Sequence, residues 1–199
     1  MIERSKPFPW VYFKMANDEE DLQRALDFLA PKGFDRELKE EQKSAILQLM
    51  CGGDLLGVLP TGFGKSLIFQ LLAAAKKSSI VFVISCPLIS IMKDQVLEAT
   101  SMGLTATAMA EAKQEDIDSG KYQLVFASAE DALQRKEFLA SLKRDSSPLH
   151  NNLAAVVIDK CHTIETWTGK RYRKSLVELF LALCYLLYIS VCVYLYVIL

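Results

Sequence analysis

Residues 59–66, with the sequence LPTGFGKS, have the types and spacing of a phosphate-binding loop. Gly62 and Gly64 allow the backbone to curl so that successive N–H groups face an anion. Lys65 would bring a positive charge to the phosphates of a nucleotide, and Ser66 would offer its hydroxyl to a magnesium ion. This chemistry is nucleotide binding.

The segments on either side of the loop support this interpretation. The apolar run at residues 55–59 predicts a short buried strand, and the apolar run at residues 67–75 predicts a helix. A helix that begins at the loop adds the positive end of its dipole to the anion site. The order of strand, glycine loop and helix favours nucleotide binding over a plain glycine turn, although Leu59 stands where the usual pattern has its first glycine.

Asp159 is the candidate for the second half of the nucleotide site. It follows the apolar run at residues 153–158, which predicts a buried strand. Its carboxylate would hold magnesium, directly or through water, opposite Ser66. An aspartate that only caps the next turn is the alternative, and it stays open.

Strands and helices alternate through the rest of the chain, which predicts an α/β fold with a parallel sheet flanked by helices. Further strands are expected at residues 80–84, 105–110 and 123–127, and further helices at residues 89–99 and from the end of that last strand to residue 142. Ligands of such folds bind at the carboxyl ends of the strands, where the glycine loop and Asp159 both fall.

Two helices are expected before the first strand. Asn17 has the type of an N-cap, with Glu20 as its capping-box partner, and Pro31 and Gly33 would end that helix. A second helical pattern runs over residues 37–50.

Composition limits the setting of the protein more than its function. The formal net charge of the 199 residues is −1, so no global basic field indicates nucleic acid, and any site for a polyanion must be local. The five cysteines form no Cys-x-x-Cys pair, which favours a reducing compartment.

Several segments, in order, resemble the conserved motifs of the RecQ-like DNA helicases, which are superfamily two helicases of the Asp-Glu-x-His type. Residues 59–72 resemble motif I and residues 155–167 resemble motif II. The remaining matches are motif 0 at residues 38–42, motif Ia at residues 85–96 and motif Ib at residues 120–130. Together they cover about residues 33–173.

The resemblance implies a RecA-like P-loop domain that binds ATP and Mg²⁺. Lys65 and Asp159 would act in catalysis, Ser66 and Asp159 would hold the metal, and Gln42 would bond the edge of adenine. The nucleotide-contacting residues that it implies are Lys39, Gln42, Thr61, Gly62, Phe63, Gly64, Lys65 and Ser66.

The resemblance also implies contact with single-stranded or partly duplex DNA. Pro87, Leu88 and Lys93 of motif Ia would touch its phosphates, and Trp167 would stack on a base. A solvated lysine and a buried core tryptophan are the alternatives. The family moves 3′ to 5′ on DNA at the expense of ATP, in repair and recombination, so the expected location is the nucleus or chromosome.

Lys160 departs from the family pattern. The family has a glutamate here, which polarises the attacking water, whereas a protonated lysine cannot accept that proton. The family also continues into a second RecA-like domain, which this sequence lacks. We therefore expect binding of ATP·Mg²⁺ and DNA with impaired hydrolysis and no unwinding by this chain alone. The alternative is a non-catalytic ATP- and DNA-binding protein.

The expected domains are a helical lead-in at residues 1–32, the RecA-like domain at residues 33–174 and an apolar tail at residues 175–199. Three interpretations of the tail are open. Residues 176–199 are long and apolar enough for a membrane anchor, which would place the protein at a membrane. They could instead form a buried helix or pair of strands. Translated intron or out-of-frame sequence is favoured, because the resemblance stops abruptly at Lys174.

Overall fold

The fold is built on a six-stranded parallel sheet. The structure, a computed structural model, describes residues 9–33, 37–60, 62–76, 78–84, 89–159 and 192–198. The described strands are β1 (Leu55–Pro60), β2 (Ile80–Ile84), β3 (Ala106–Ala108), β4 (Leu124–Ala127), β5 (Leu153–Asp159) and β6 (Cys192–Ile198). They lie in the order β1-β6-β5-β2-β4-β3, and each neighbouring pair is parallel.

Helices connect the successive strands from β1 to β5, as is usual for the crossovers of a parallel sheet. The described α-helices are α1 (Pro9–Leu29), α2 (Glu40–Met50), α3 (Lys65–Ala75), α4 (Ile89–Ser101), α5 (Gln114–Asp118), α6 (Ala129–Gln134), α7 (Lys136–Lys143) and α8 (Pro148–Asn152). Short 3₁₀ turns follow α1 (Ala30–Lys32) and β3 (Met109–Glu111). The predicted α/β class is confirmed.

The core lies on both faces of the sheet. Every residue of β2 is buried, and alternate residues of this strand belong to opposite hydrophobic clusters. On one face, the ring of Phe69 from α3 meets that of Phe126 edge-on, with centroids 6.2 Å apart. On the other face, Phe82 stacks on Phe138 of α7 at 4.6 Å. A strand that is buried on both faces must be apolar at every position, which explains the unbroken run of the sequence.

β1 is more exposed than its apolar sequence predicts. Leu56 and Val58 are 65% and 45% exposed, so the expectation of a buried strand is wrong for one face. β1 lies at one end of the order of described strands, where a strand has a described neighbour on one side only. The sequence pattern gives the direction of the strand but not its place in the order.

The first helix begins earlier than its capping signal predicts. α1 runs from Pro9, so Asn17 lies inside the helix and is not its N-cap. Asparagine lowers helix stability by only a few tenths of a kcal/mol to about 0.7 kcal/mol, which a helix tolerates. The next residue, Asp18, is buried, with its carboxylate 3.6 Å from the ammonium of Lys76 and accepting a hydrogen bond from the thiol of Cys51. Asp18 therefore ties α1 to the end of α3.

Three further boundaries differ from the sequence pattern. The helix expected from residue 37 begins at Glu40, and the strand expected at residues 105–110 is shortened to β3 because a 3₁₀ turn follows. The helix expected to reach residue 142 is split into α6 and α7 at Arg135, whose guanidinium donates to the carbonyl of Ala112 at 3.1 Å. A tertiary contact accompanies the last of these limits, whereas local contacts mark the other two.

Part of the apolar tail is a strand of the sheet. β6 pairs with β1 from Leu55↔Val193 to Pro60↔Ile198, and with β5 from Val156↔Cys192 to Asp159↔Leu195. The expectation of a tail outside the sheet is therefore corrected for residues 192–198, while residues 175–191 lie outside the described ranges. The run is rich in valine and tyrosine, which suit strands, and hydrophobicity alone does not separate a buried strand from a membrane helix. None of the helices in the described ranges is long and apolar enough to cross a membrane.

The pairing of β6 makes a testable prediction. Leu195 lies opposite both Gly57 and Asp159, so Leu195→Pro should break the ladder in the interior of the sheet. An unpaired buried backbone group costs about 1–3 kcal/mol. For a domain of this size we expect the melting temperature, followed by circular dichroism, to fall by roughly 2–12 °C.

The matched control is Leu199→Pro, one residue beyond the last paired position. Its melting temperature should equal that of the unchanged chain. Equal melting temperatures for both proline variants would contradict the placement of β6.

Candidate nucleotide site

The glycine loop leaves β1 at Pro60 and enters α3 at Lys65. Gly62 and Gly64 have φ angles of +77° and +85°, in the left-handed region that favours glycine. The N–H of Phe63 donates to the carbonyl of Pro60 at 3.3 Å, which closes a turn from Pro60 to Phe63. The sequence prediction of a curled loop between a strand and a helix is confirmed.

The ammonium of Lys65 points into the loop that precedes it. It donates to the carbonyl oxygens of Pro60 at 2.8 Å and Leu59 at 3.3 Å. A lysine ammonium has three donors and no acceptor, so these carbonyls fix it near the space that the loop encircles. Phosphate oxygens could replace the two carbonyls with little movement of the side chain.

Gln42, on the first turn of α2, joins that helix to the loop. Its amide nitrogen donates to the carbonyls of Phe63 at 2.9 Å and Gly64 at 3.3 Å, and its amide oxygen accepts from the backbone N–H of Lys39 at 3.0 Å. The side chain is buried. Gln42 thus uses both of its amide hydrogens on the loop, in the place where the resemblance puts an adenine-reading residue.

Lys39 and Phe63 form the outer side of this junction. The ammonium of Lys39 lies 3.9 Å from the centroid of the Phe63 ring, within the range of a cation–π contact. Lys39 is exposed and Phe63 is half-buried, so both remain accessible to a ligand. A positive charge over a ring at the mouth of an anion-binding loop favours a negatively charged ligand.

A cavity of about 350 Å³ lies beside the loop. Its volume is in the range of small-molecule sites. The described residues that line it include Lys39, Gln42, Phe63, Ser66, Gln70 and Met102. Gln70 is 1% exposed, and its amide nitrogen is buried with no hydrogen-bond partner in the part of the chain that the structure describes. A buried unpaired donor costs about 1–3 kcal/mol, so a ligand that offered an acceptor to Gln70 would remove this cost.

Asp159 is the last residue of β5 and is buried, with 5% exposed. Its carboxylate accepts a hydrogen bond from the amide nitrogen of Gln95 on α4, at 3.4 Å. β1 and β5 are separated only by β6, so the strand that leads to the loop and the strand that carries Asp159 are about 9–10 Å apart. The predicted meeting of the loop and Asp159 at one edge of the sheet is confirmed at the level of the strands.

Five predicted site residues lie outside the described residues: Thr61, Pro87, Leu88, Lys160 and Trp167. Their roles stay predictions. Lys93 is described, and it is exposed on α4.

Gln70 and Gln95 were given no role by the sequence. Both fall within the segments that resemble motifs I and Ia, and each is a polar residue that is buried on a helix packed against the sheet. A glutamine among the apolar positions of a helix is a weak signal in the sequence. It becomes strong once the burial of the side chain is known.

The arrangement suits ATP with Mg²⁺. The loop supplies N–H groups and Lys65 for phosphates, and the adjacent cavity has room for the rest of a nucleotide. In the described ranges no group of three His, Cys, Asp or Glu residues could hold a metal by itself. Magnesium is usually held by one or two carboxylates together with the phosphates of its ligand, so Asp159 and Ser66 are the residues that would hold it.

A larger groove, of about 660 Å³, lies between α1 and the start of α2. Glu19, Asp27, Glu37 and Glu40 line it, against the single cation Lys43. The smaller cavity also has two carboxylates, Glu37 and Glu98, but it lies beside the glycine loop, which the groove does not touch. Phosphates, which carboxylates repel, are therefore better placed at the loop than in the groove. The smaller cavity is the candidate site.

Comparison with known families agrees with this geometry. The profile of the DEAD/DEAH box helicases matches residues 39–187, more than half of the chain. The chain belongs to the DEAD/DEAH box helicase family. The resemblance to RecQ-like members is also confirmed, because the similar curated proteins include several RecQ-type DNA helicases.

Two of these helicase relatives show the extent of the similarity. The chain is 30% identical to ATP-dependent DNA helicase Q-like 4B of Arabidopsis thaliana over 139 residues, 65% of this chain and 12% of the relative. It is 31% identical to ATP-dependent DNA helicase RecQ of Pasteurella multocida (strain Pm70) over 166 residues, 79% of this chain and 24% of the relative. The chain thus spans less than a quarter of the length of either.

Among solved structures, the helicase MrfA bound to DNA and AMPPNP has a similar fold. The TM-score is 0.59 at 20% identity, with 98% of this chain and 27% of that chain covered. At this identity the likeness supports the RecA-like fold alone.

The contact between Gln42 and the loop can be tested with two alanine substitutions. A side chain at either glycine is strained by its positive φ, at a cost of about 1–2 kcal/mol. A Cβ at Gly62 would meet nothing within 4 Å, whereas one at Gly64 would lie 2.7 Å from the amide nitrogen of Gln42. Gly64→Ala should therefore lower the free energy of unfolding in urea by about 0.5–1.5 kcal/mol more than Gly62→Ala, because it displaces a hydrogen-bonded amide.

A double variant supplies the control. With Gln42→Ala in the background, the difference between the two glycine substitutions should disappear. If it persists, Gln42 does not brace the loop as described.

Proposed function

We propose that this chain binds ATP·Mg²⁺ and single-stranded DNA as the first RecA-like domain of an ATP-dependent DNA helicase. The observation that carries the proposal is the placement of the Gly-Lys-Ser loop and buried Asp159 at one edge of a parallel sheet, next to a nucleotide-sized cavity. Relatives named ATP-dependent DNA helicases support the activity of a longer protein of which this domain would be part.

The phosphate subsite would work by exchange of acceptors. Lys65 now donates to two backbone carbonyls, and phosphate oxygens would take their place. A charged acceptor makes a stronger hydrogen bond than a neutral carbonyl, so the exchange favours the bound state. Ser66 and Asp159 would hold Mg²⁺ from opposite sides, and the ion would neutralise phosphate charge.

Gln42 could accept a hydrogen bond from adenine through the second lone pair of its amide oxygen, but to donate one it would have to change partners. Its two donors are held by Phe63 and Gly64, so it can donate to adenine only when the loop releases them. The loop and the base-reading residue are therefore coupled, and a phosphate that orders the loop would free Gln42. Thr61 would add a further loop contact.

Contact with DNA is proposed for α4 and the segment before it. Lys93 is exposed on this helix, where it is available to a phosphate. Pro87 and Leu88 would lie beside the DNA backbone, and Trp167 would stack on a base. The nucleus or chromosome is the proposed location.

Lys160 distinguishes the two candidate activities. At neutral pH the ammonium of a lysine beside Asp159 has no lone pair to accept the proton of the attacking water. Lys160 therefore favours the second candidate, a non-catalytic protein that binds ATP and DNA. Its positive charge would be compatible with phosphates, so ATP binding would be retained while hydrolysis is impaired.

Loss of the Lys65 ammonium tests nucleotide binding. Lys65→Ala removes a charge-assisted hydrogen bond worth about 1.5–3 kcal/mol. The Kd for a fluorescent ATP analogue with Mg²⁺ should therefore rise roughly 10- to 150-fold. Lys113→Ala, which removes an exposed lysine at the start of α5, is the control and should leave the Kd unchanged. Equal affinity in both variants would exclude the loop as the phosphate site.

Restoration of the glutamate tests the proposed hydrolytic defect. A general base contributes roughly 10²–10⁴-fold to a rate, so with DNA and a second RecA-like domain supplied, Lys160→Glu should raise single-turnover ATP hydrolysis by a factor in that range. Lys160→Gln removes the same charge without supplying a base and should stay slow. A rate for the unchanged chain close to that of Lys160→Glu would sink the idea of impaired hydrolysis.

A further inference from the structure

The hydrogen bond between Gln95 and Asp159 joins two parts of the molecule with different expected roles. Gln95 belongs to α4, the helix with the proposed DNA contact, and Asp159 is the proposed magnesium ligand. The bond spans 64 residues of sequence, and its partners are 8% and 5% exposed. A buried link of this kind is shielded from water, which would otherwise compete for both partners.

We propose that Gln95 is a positioning residue that orients the Asp159 carboxylate for Mg²⁺ and transmits the state of α4 to it. The inference rests on the proposed function and extends it, because it names a route between the two ligand sites. Gln95 touches neither nucleotide nor DNA in this scheme.

The two sides of α4 support this assignment. Met92, Gln95 and Ala99 are all buried, at a spacing of three and four residues that defines one face of a helix. Lys93 lies two positions before Gln95, about 200° around the helix axis, and is exposed. The helix thus presents its cation to solvent and its amide to Asp159.

The choice of glutamine within that buried face needs a reason. An apolar residue would pack there without the cost of burying an amide, which is about 1–3 kcal/mol in the absence of a partner. The amide nitrogen meets a carboxylate oxygen at 3.4 Å, so Asp159 offsets part of that cost. A glutamine at this position therefore suits a carboxylate at the end of β5.

The arrangement has a thermodynamic consequence. If DNA binding moves α4, it also moves the Gln95 amide that donates to Asp159. Conversely, if Mg²⁺ binding moves the Asp159 carboxylate, it also moves α4. The effect of DNA on the affinity for Mg²⁺ must then equal the effect of Mg²⁺ on the affinity for DNA. Loss of Gln95 should weaken both to the same extent.

The experiment uses the full chain with Gln95→Leu, and Gln134→Leu at the exposed end of α6 as the matched control. The affinity for a fluorescent ATP analogue is measured at increasing concentrations of Mg²⁺, with and without oligo(dT). The measurement is then repeated in EDTA. Loss of a residue that orients a metal ligand typically weakens metal binding 10- to 100-fold. We expect the half-saturating Mg²⁺ concentration of Gln95→Leu to rise by about that factor, with affinity in EDTA unchanged.

Two further variants keep the test decisive. Gln95→Asn retains an amide that is one carbon too short, so it should give the same Mg²⁺ shift even if Gln95→Leu folds poorly. In an Asp159→Asn background, Gln95→Leu should have no additional effect on the Mg²⁺ response. The ratio of Mg²⁺ affinities with and without oligo(dT) should move toward one in both Gln95 variants.

The outcomes separate the inference from the function on which it rests. If the unchanged chain binds the ATP analogue with a Mg²⁺ response and the Gln95 variants match it, the positioning role is overturned alone. An equal loss of affinity with Mg²⁺ and in EDTA would indicate a purely structural glutamine, which also overturns it. If the unchanged chain binds no ATP analogue, the proposed function fails and the inference fails with it.

Discussion

The common direction of the strands is the constraint on which the candidate site depends. In a parallel sheet every carboxyl end lies at one edge, so the loop after β1 and Asp159 at the end of β5 are brought to the same side. Their separation is fixed by β6, which pairs with both strands. Hydrogen bonds along β6 thus set the distance across which a nucleotide and its metal would have to fit.

Polar groups at this edge are largely satisfied by one another. Lys65 donates to carbonyls of its own loop, Gln42 donates to the carbonyls of Phe63 and Gly64, and Gln95 donates to Asp159. Each of these bonds involves a group expected to meet a ligand or to support one that does. Ligand binding would therefore replace existing bonds, and its free energy is the difference between the two sets of partners. Gln70 differs, since its buried amide nitrogen has no partner in the described ranges.

The family assignment explains some features of the candidate site and leaves two others unexplained. Membership of the DEAD/DEAH box helicases accounts for the loop and the acidic residue at the end of β5. It does not account for Lys160, where a proton acceptor is expected, nor for the apolar run that forms β6. Chemistry that depends on these two features has to be measured on this chain and cannot be transferred from its relatives.

The sequence by itself determined the class of the fold and the chemistry of the loop, because both are encoded locally. Buried strands need unbroken apolar runs, and a curled phosphate loop needs glycines before lysine and serine, so residues 59–66 and the run that forms β2 could be recognised without a structure. Only the tertiary structure decided the sheet order, the exposure of Leu56 and Val58, the start of α1 at Pro9 and the role of residues 192–198 as a strand. It also decided the partners of Gln42 and Gln95, which lie 21 and 64 residues away. These features depend on contacts between distant segments, and a local pattern of residues carries no record of the distance at which its partners will lie.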